Sequence, residues 1–229
     1  MYFLAVDTAT NSGGIALARN AELIGVLQVK RPLEYSERLL SQVEFLLGQF
    51  GLTLAEIDCF AAATGPGSFT GLRIGMATVK GFCQALGRPA AGVSTLEALA
   101  YRFRHVGRRV APMVDARRQQ IFGAVYSVED GGKAELLEEE CVLPPAQWLT
   151  RLPPEPCLFV GDGAQMYAST VASLRPGDSL IRSDNTILPE LCLLGYHQFV
   201  RGEVAAAGTL AANYVRPSDA ELTTANPSR

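Results

Sequence analysis

From Cys59 to Leu86 the chain passes from an apolar run, Cys59 to Thr64, through Gly65-Pro66-Gly67-Ser68-Phe69-Thr70-Gly71, into a segment of helical spacing from about Thr70 to Leu86. A short apolar run closed by glycine and proline reads as a strand, and the periodic segment after it as a helix. Strand, glycine turn and helix in that order form a unit of α/β folds. The N-terminal region agrees. Tyr2 to Asp7, Gly14 to Ala18 and Leu23 to Val29 are apolar runs separated by turn residues, which predicts three hairpin-linked strands. The first run is almost wholly apolar, as a strand buried on both faces would be, and Asp7 stands at its carboxyl end.

Helices follow from periodicity and capping. Leu39, Leu40, Val43, Leu46, Leu47 and Phe50 form one stripe of an amphipathic helix over Ser36 to Phe50, which Gly51 ends. Thr53 with Glu56, and Ser94 with Glu97, have capping-box spacing and place helix starts near residues 54 and 95. Further on, Val110 to Val114 and Ile121 to Val128 read as strands joined by Asp115-Ala116-Arg117-Arg118-Gln119-Gln120. Paired prolines bracket a short helix, Leu158 to Val160 is a strand that runs into Gly161-Asp162-Gly163, and Gln165 to Leu174 and Pro189 to Arg201 are helices. Strands followed by helices occur twice. Two related α/β halves are expected: residues 1–104, an abbreviated second half at 105–203, and a segment 204–229 that returns to the first domain and frays.

The net charge of −3 and the lack of a Lys/Arg run exclude a chain that holds nucleic acid by its own overall electrostatics. Arg102, Arg104, Arg108 and Arg109 form one cationic cluster, read as a solvated helix end. The five cysteines lack C-x-x-C spacing, which argues for reduced core thiols and a cytoplasmic location. No apolar run reaches the length of a membrane span, so no membrane association is expected.

Chemistry is thinly provided. The Gly65–Gly71 turn offers glycine amides, the hydroxyls of Ser68 and Thr70 and a helix N-terminus, all suited to an anion, but it has no lysine and matches neither nucleotide-binding glycine motif. A tight structural turn fits it equally well. In the helix beyond, Gly71, Gly75, Thr78, Phe82 and Ala85 share a stripe. An interior glycine costs about 1 kcal/mol relative to alanine, so a close-packed neighbour is implied, from this chain or from another. His105 and His197 are isolated and form no metal motif. Asp7, Asp115 and Asp162 each follow a strand, as turn formers or as carboxylates converging on a cleft.

Leu4-Ala5-Val6-Asp7-Thr8-Ala9-Thr10, the Gly65–Gly75 segment with Leu72-Arg73-Ile74, Gly92-Val93-Ser94-Thr95-Leu96, Asp115-Ala116-Arg117 and Tyr214-Val215-Arg216-Pro217 together resemble the bacterial TsaB family, also called YeaZ. The resemblance implies an actin-like, sugar-kinase-like (ASKHA) α/β fold of two domains, the second reduced. It implies a role in making N6-threonylcarbamoyladenosine in tRNA, as a non-catalytic subunit that binds and stabilises TsaD, the metal-containing subunit that transfers the threonylcarbamoyl group. The ATPase TsaE and tRNA join through that complex, and the same surface serves either TsaD or another copy of the chain, which leaves a homodimer open.

In the family the partner surface lies on the first two helices. Here that points to Leu39, Leu40, Val43 and Leu47, with Gly71, Gly75, Thr78 and Phe82. It also points to ATP or ADP at the shared interface, near Asp7, Thr8, Gly67, Ser68 and Arg73, with no metal or cofactor of the chain's own. Tyr35-Ser36-Glu37 stands where many members have His-Ser-Glu. Two other readings stay in view: a stand-alone ATPase or phosphotransferase with Asp7 on a metal and Gly161–Gly163 on nucleotide, and a peptidase using Ser68.

Overall fold

The structure is a computed structural model and describes residues 1–30, 35–129, 133–206, 208–213 and 215, with side chains withheld at 35–37, 129 and 133. Two five-stranded sheets carry it. In the first, β1 (Tyr2–Asp7), β2 (Gly14–Arg19) and β3 (Glu22–Gln28) form antiparallel hairpins. The helix α1 (Tyr35–Gly48) leads to β4 (Cys59–Gly65), which pairs parallel to β1, and α2 (Phe69–Leu86) leads to β5 (Ala90–Ser94), parallel to β4. The strand order is β3-β2-β1-β4-β5. After α3 (Thr95–Tyr101) the pattern starts again. β6 (Arg109–Asp115), β7 (Ile121–Glu129) and β8 (Lys133–Leu143) are antiparallel; α4 (Pro145–Arg151) leads to β9 (Cys157–Val160), parallel to β6. Then come α5 (Asp162–Met166), α6 (Ala168–Leu174), the short β10 (Ser179–Leu180) and α7 (Leu188–Val200). The second sheet's order, β8-β7-β6-β9-β10, repeats the first strand for strand. The second half is reduced in its helices, not in its strand count.

Alternation along each strand sends residues to two cores. Leu4, Val6, Ile15, Leu17, Phe60 and Ala62 face α1 and α2. Phe3, Ala5, Ala16, Ala18 and Ala61 face the other way and are covered by Leu191, Cys192 and Leu194 of α7. The Cys192 thiol lies 3.5 Å from the Phe3 carbonyl, and Phe3 meets the rings of Tyr196 and Phe199 edge-on. α7 therefore does not belong with the second sheet, as the expected 105–203 division has it. Its apolar residues complete the first sheet. In return α3 lies against β6, β7 and β8 as well as β4 and β5. Each half sends its last helix to the other, and a single buried cluster runs through both.

Several local readings need correction. The helix start near residue 54 is a three-residue 3-10 turn, Leu54–Glu56, although its capping box forms. The helix read over Gln165 to Leu174 is two helices that meet at Tyr167. The strand β8 had no counterpart in the sequence reading. Most of the C-terminal Tyr-Val-Arg-Pro motif, all of the tail from Pro217, and the Tyr35, Ser36 and Glu37 side chains lie outside the described residues.

Candidate functional site

The carboxyl ends of β1, β4, β6 and β9 open onto a cleft of about 460 Å³ between the halves. Thr10, Asn11, Gly67, Ser68, Thr70 and Thr95 of the first half meet Asp115, Arg117, Phe122, Asp162 and Asn185 of the second. Asn213 and Val215, from the C-terminal segment, line it as well.

In this cleft and beneath it, several of the amides that a phosphate could use are already engaged. Asp7 is 0% exposed, and its Oδ1 accepts from the amides of Ala9 at 2.8 Å and Thr10 at 3.2 Å, while Oδ2 accepts from the Thr10 hydroxyl at 2.5 Å. Burial pushes the Asp7 carboxyl above its ordinary range despite those bonds. The Ser68 amide donates to the Ala9 carbonyl at 2.9 Å, so the glycine turn closes over this hairpin. In the second hairpin Arg117, Arg118 and Gln119 all have left-handed backbones, with φ of 63°, 50° and 59°, an unfavourable conformation outside glycine. The Arg117 amide donates to Asp115 Oδ1 at 2.8 Å, and the Asp115 amide to Asp162 Oδ1 at 3.0 Å. At the start of α5 the amides of Gly161 and Asp162 donate to Ser183 Oγ and Asn185 Oδ1, both at 3.0 Å.

Of the residues expected at a nucleotide, Gly67 and Ser68 line the cleft. Asp7 and Thr8 do not; both are buried, and the Thr8 hydroxyl donates to the Gly71 carbonyl at 2.6 Å. Arg73 is exposed, with its guanidinium 3.9 Å over the Phe69 ring at the cleft mouth. Ser68 Oγ accepts from the Gly71 amide at 3.2 Å as the N-cap of α2. Neither histidine lines the cleft; His197 sits against Tyr101 and Tyr196. Among the described residues no group of three or more His, Cys, Asp or Glu side chains could hold a metal ion, and no helix is long and apolar enough to cross a membrane.

The expected partner face divides. Leu39, Val43 and Leu47 are at most 4% exposed and pack into the core beneath α1, so they cannot meet a partner. The Gly71–Gly75 stripe faces inward too. A Cβ at Gly71 would lie 1.8 Å from the Thr8 carbonyl oxygen, and one at Gly75 would lie 2.4 Å from the Thr8 hydroxyl. The close neighbour is the end of the chain's own β1. Thr78 and Phe82 are half-buried, Thr78 donating to the Ile74 carbonyl at 2.9 Å and Phe82 against Phe60. Leu40, at 60%, remains exposed. Phe45, also on α1, is 57% exposed, and Ala77, Gly81 and Ala85 form an outward small-residue stripe on α2 with nothing within 4 Å of a Cβ at Gly81. The i, i+4, i+8 spacing of that second stripe was visible in the sequence; which of the two stripes faces out was not.

The arginine cluster is not a solvated helix end. Arg102 pairs with Asp184 at 3.0 Å, Arg109 with Glu155 at 3.2 Å, Arg108 donates to Ser179 Oγ at 3.1 Å, and Arg104 stacks over Tyr101.

Residues 17–193 match the model of a family described as TsaD, tRNA N6-adenosine threonylcarbamoyltransferase. The chain is 30% identical over 226 residues, 96% of each chain, to the tRNA threonylcarbamoyladenosine biosynthesis protein TsaB of Bacillus subtilis. YeaZ from Pseudomonas aeruginosa superposes with a TM-score of 0.80 at 30% identity, over 93% of this chain and 99% of that one. At 11% identity, the (R)-2-hydroxyglutaryl-CoA dehydratase component A of Acidaminococcus fermentans shares the fold, with a TM-score of 0.51 over 87% of this chain and 99% of that one. The fold is the actin-like, sugar-kinase-like α/β arrangement, and the chain belongs to the TsaB (YeaZ) family.

Proposed function

We propose that this chain serves tRNA N6-threonylcarbamoyladenosine biosynthesis as a non-catalytic subunit that binds and stabilises a TsaD-like transferase. The observation that carries the reading is the set of engaged amides in the cleft. Asp7, Asp115, Asp162, Ser183 and Asn185 accept from the backbone donors of both hairpins and of the α5 start. Carboxylates in those places repel a phosphate instead of cradling one. A stand-alone ATPase loses its phosphate site, and a peptidase has no imidazole beside Ser68.

The exposed α1 and α2 surface is the docking face. Leu40 and Phe45 supply apolar area, and Ala77, Gly81 and Ala85 let a partner helix come close. The similarity to TsaB of Bacillus subtilis supports the pathway, and the matching TsaD family supports a paralogous partner. A TsaE-like ATPase and tRNA reach the chain through that partner, any ATP or ADP sits at the shared interface, and a homodimer would use the same face when the partner is absent.

Size-exclusion chromatography of the chain with the TsaD-like subunit tests this. The pair co-elutes, while Leu40→Asp and Gly81→Leu separate it with circular dichroism unchanged. Undisturbed co-elution in both variants assigns the contact to another surface.

A further inference from the structure

In the C-terminal segment, residues 204–206, 208–213 and 215 follow a path that neither the fold nor the partner face requires. Ala205 pairs with Ala90 through reciprocal amide–carbonyl bonds of 2.8 and 2.9 Å, which covers the outer edge of β5. Leu210, 4% exposed, then packs against Gly92. Next the Asn213 amide donates to the Thr64 carbonyl at 2.8 Å, and Val215 reaches the cleft wall. All of these contacts belong to the first half.

One side chain ties the segment to the second half. Glu140, on the edge strand β8, accepts from Asn213 Nδ2 at 2.7 Å on Oε2. Its Oε1 accepts from the Tyr126 hydroxyl of β7 at 2.8 Å and from the hydroxyl of Ser94. Ser94 ends β5 and caps α3, its Oγ accepting from the amides of Leu96 at 3.1 Å and Glu97 at 3.3 Å. Glu140 thus joins four separate pieces of backbone: the C-terminal segment, the β5–α3 junction, β7 and β8. No cation is bonded to it in this cluster, and its partners are all neutral donors.

We infer that Glu140 is a latch that holds the C-terminal segment across both halves, so that the cleft opens only when this segment lifts from Glu140. The halves already share one buried cluster through α3 and α7, and a strap over the β5 edge, tied to β8 by Glu140, adds a limit on their relative rotation. A charge-assisted acceptor with three donors is strong enough to set that limit, yet it is one residue and releases as a unit. The chain carries its own control of the cleft, separate from the α1 and α2 docking face.

Native-state hydrogen exchange on the full chain reads this directly, with Asn213→Ala, Glu140→Ala and the double variant compared against the unaltered chain. Asn213 is exposed, so its variant stays folded even where Glu140→Ala does not. The amides of Ala205 and Asn213 exchange about tenfold faster in Asn213→Ala, as expected for loss of one such bond. The cleft amides of Thr10 and Asp115 speed up with them, and those of β1 and β4 do not change. The double variant is no faster than the faster single one. Unchanged exchange at Ala205 and Asn213, unchanged cleft amides beside a released segment, or effects that add in the double variant each overturn the latch.

Discussion

The Thr8 hydroxyl donates to the Gly71 carbonyl at 2.6 Å, and the Thr8 carbonyl oxygen lies where a Cβ on Gly71 would have to be. The end of β1 and the first turn of α2 are in backbone contact, and that contact accounts for the glycine stripe.

Gly71→Ala forces this contact apart. At 1.8 Å from a backbone oxygen the new methyl cannot be accommodated by a rotamer change, and overpacking of this kind costs roughly 3 kcal/mol or more. Urea denaturation should show a lower midpoint at unchanged slope. Gly75→Leu is expected to be at least as harmful, because its Cβ meets the Thr8 hydroxyl, so loss of partner binding by that variant would report unfolding.

Asp7→Ala should cost stability and not turnover. It strips the acceptor from the Ala9 amide, the Thr10 amide and the Thr10 hydroxyl in a site closed to water, a loss of roughly 3 kcal/mol. Calorimetry on Asp7→Ala and Asp7→Asn checks it: the asparagine keeps an acceptor oxygen and loses less. An Asp7→Ala chain as stable as the original, with an ATPase activity removed, would restore the phosphotransferase reading.

Burial raises the carboxyls of Glu190 and Glu140 above their ordinary value of 4.5, and that of Asp7 above 3.8. In each case the folded form binds its proton more tightly than the unfolded form. Between the two pKa values the native state therefore holds more protons, and stability falls as pH rises through that window. Asp184 has the opposite sign: burial pushes it up, but bonds from Arg102 and Thr186 and the Arg102 charge outweigh this and bring it to about 2, so its contribution is lost only in strong acid. Thermal melts should differ across that window, higher on its acid side than on its alkaline side. Glu190→Gln should flatten that difference; an unchanged slope removes Glu190 from the account.

Thiol chemistry should separate the cysteines. Burial pushes Cys59 and Cys192 to about 12 and Cys83 to about 11, whereas Cys141 is only half-buried. With Ellman's reagent on the native chain Cys141 reacts first, and the four buried thiols, Cys157 among them, react only after guanidinium unfolds it. Fast reaction of Cys59, Cys83 or Cys192 in the native chain would show that its core opens.

The sequence made the first sheet and α2 legible because their signals are local: apolar runs, turn residues, caps. It hid β8. Lys133 to Leu143 contains Glu138, Glu139 and Glu140 and reads by composition as helix or loop, yet it is an edge strand whose charges suit an open edge. It also hid the direction of faces. Periodicity groups Gly71 with Gly75, and Leu39 with Val43, but only the packed structure shows that both sets point inward while Leu40 and Gly81 point out. The engagement of the hairpin amides was equally hidden, since Asp7 and Asp115, which accept from them, look from the sequence like candidates to serve the cleft.

The exchange of last helices has a consequence for synthesis. Phe3, Ala5, Ala16 and Ala18 are made among the first residues, but Leu191, Cys192 and Leu194, which cover them, are made near the end. While a ribosome is still translating, that face of the first sheet has no lid of its own and cannot be finished, however long the earlier residues wait outside the exit tunnel. The nascent chain must keep an apolar surface from self-association until residue 200 has emerged, and the two halves then become native together.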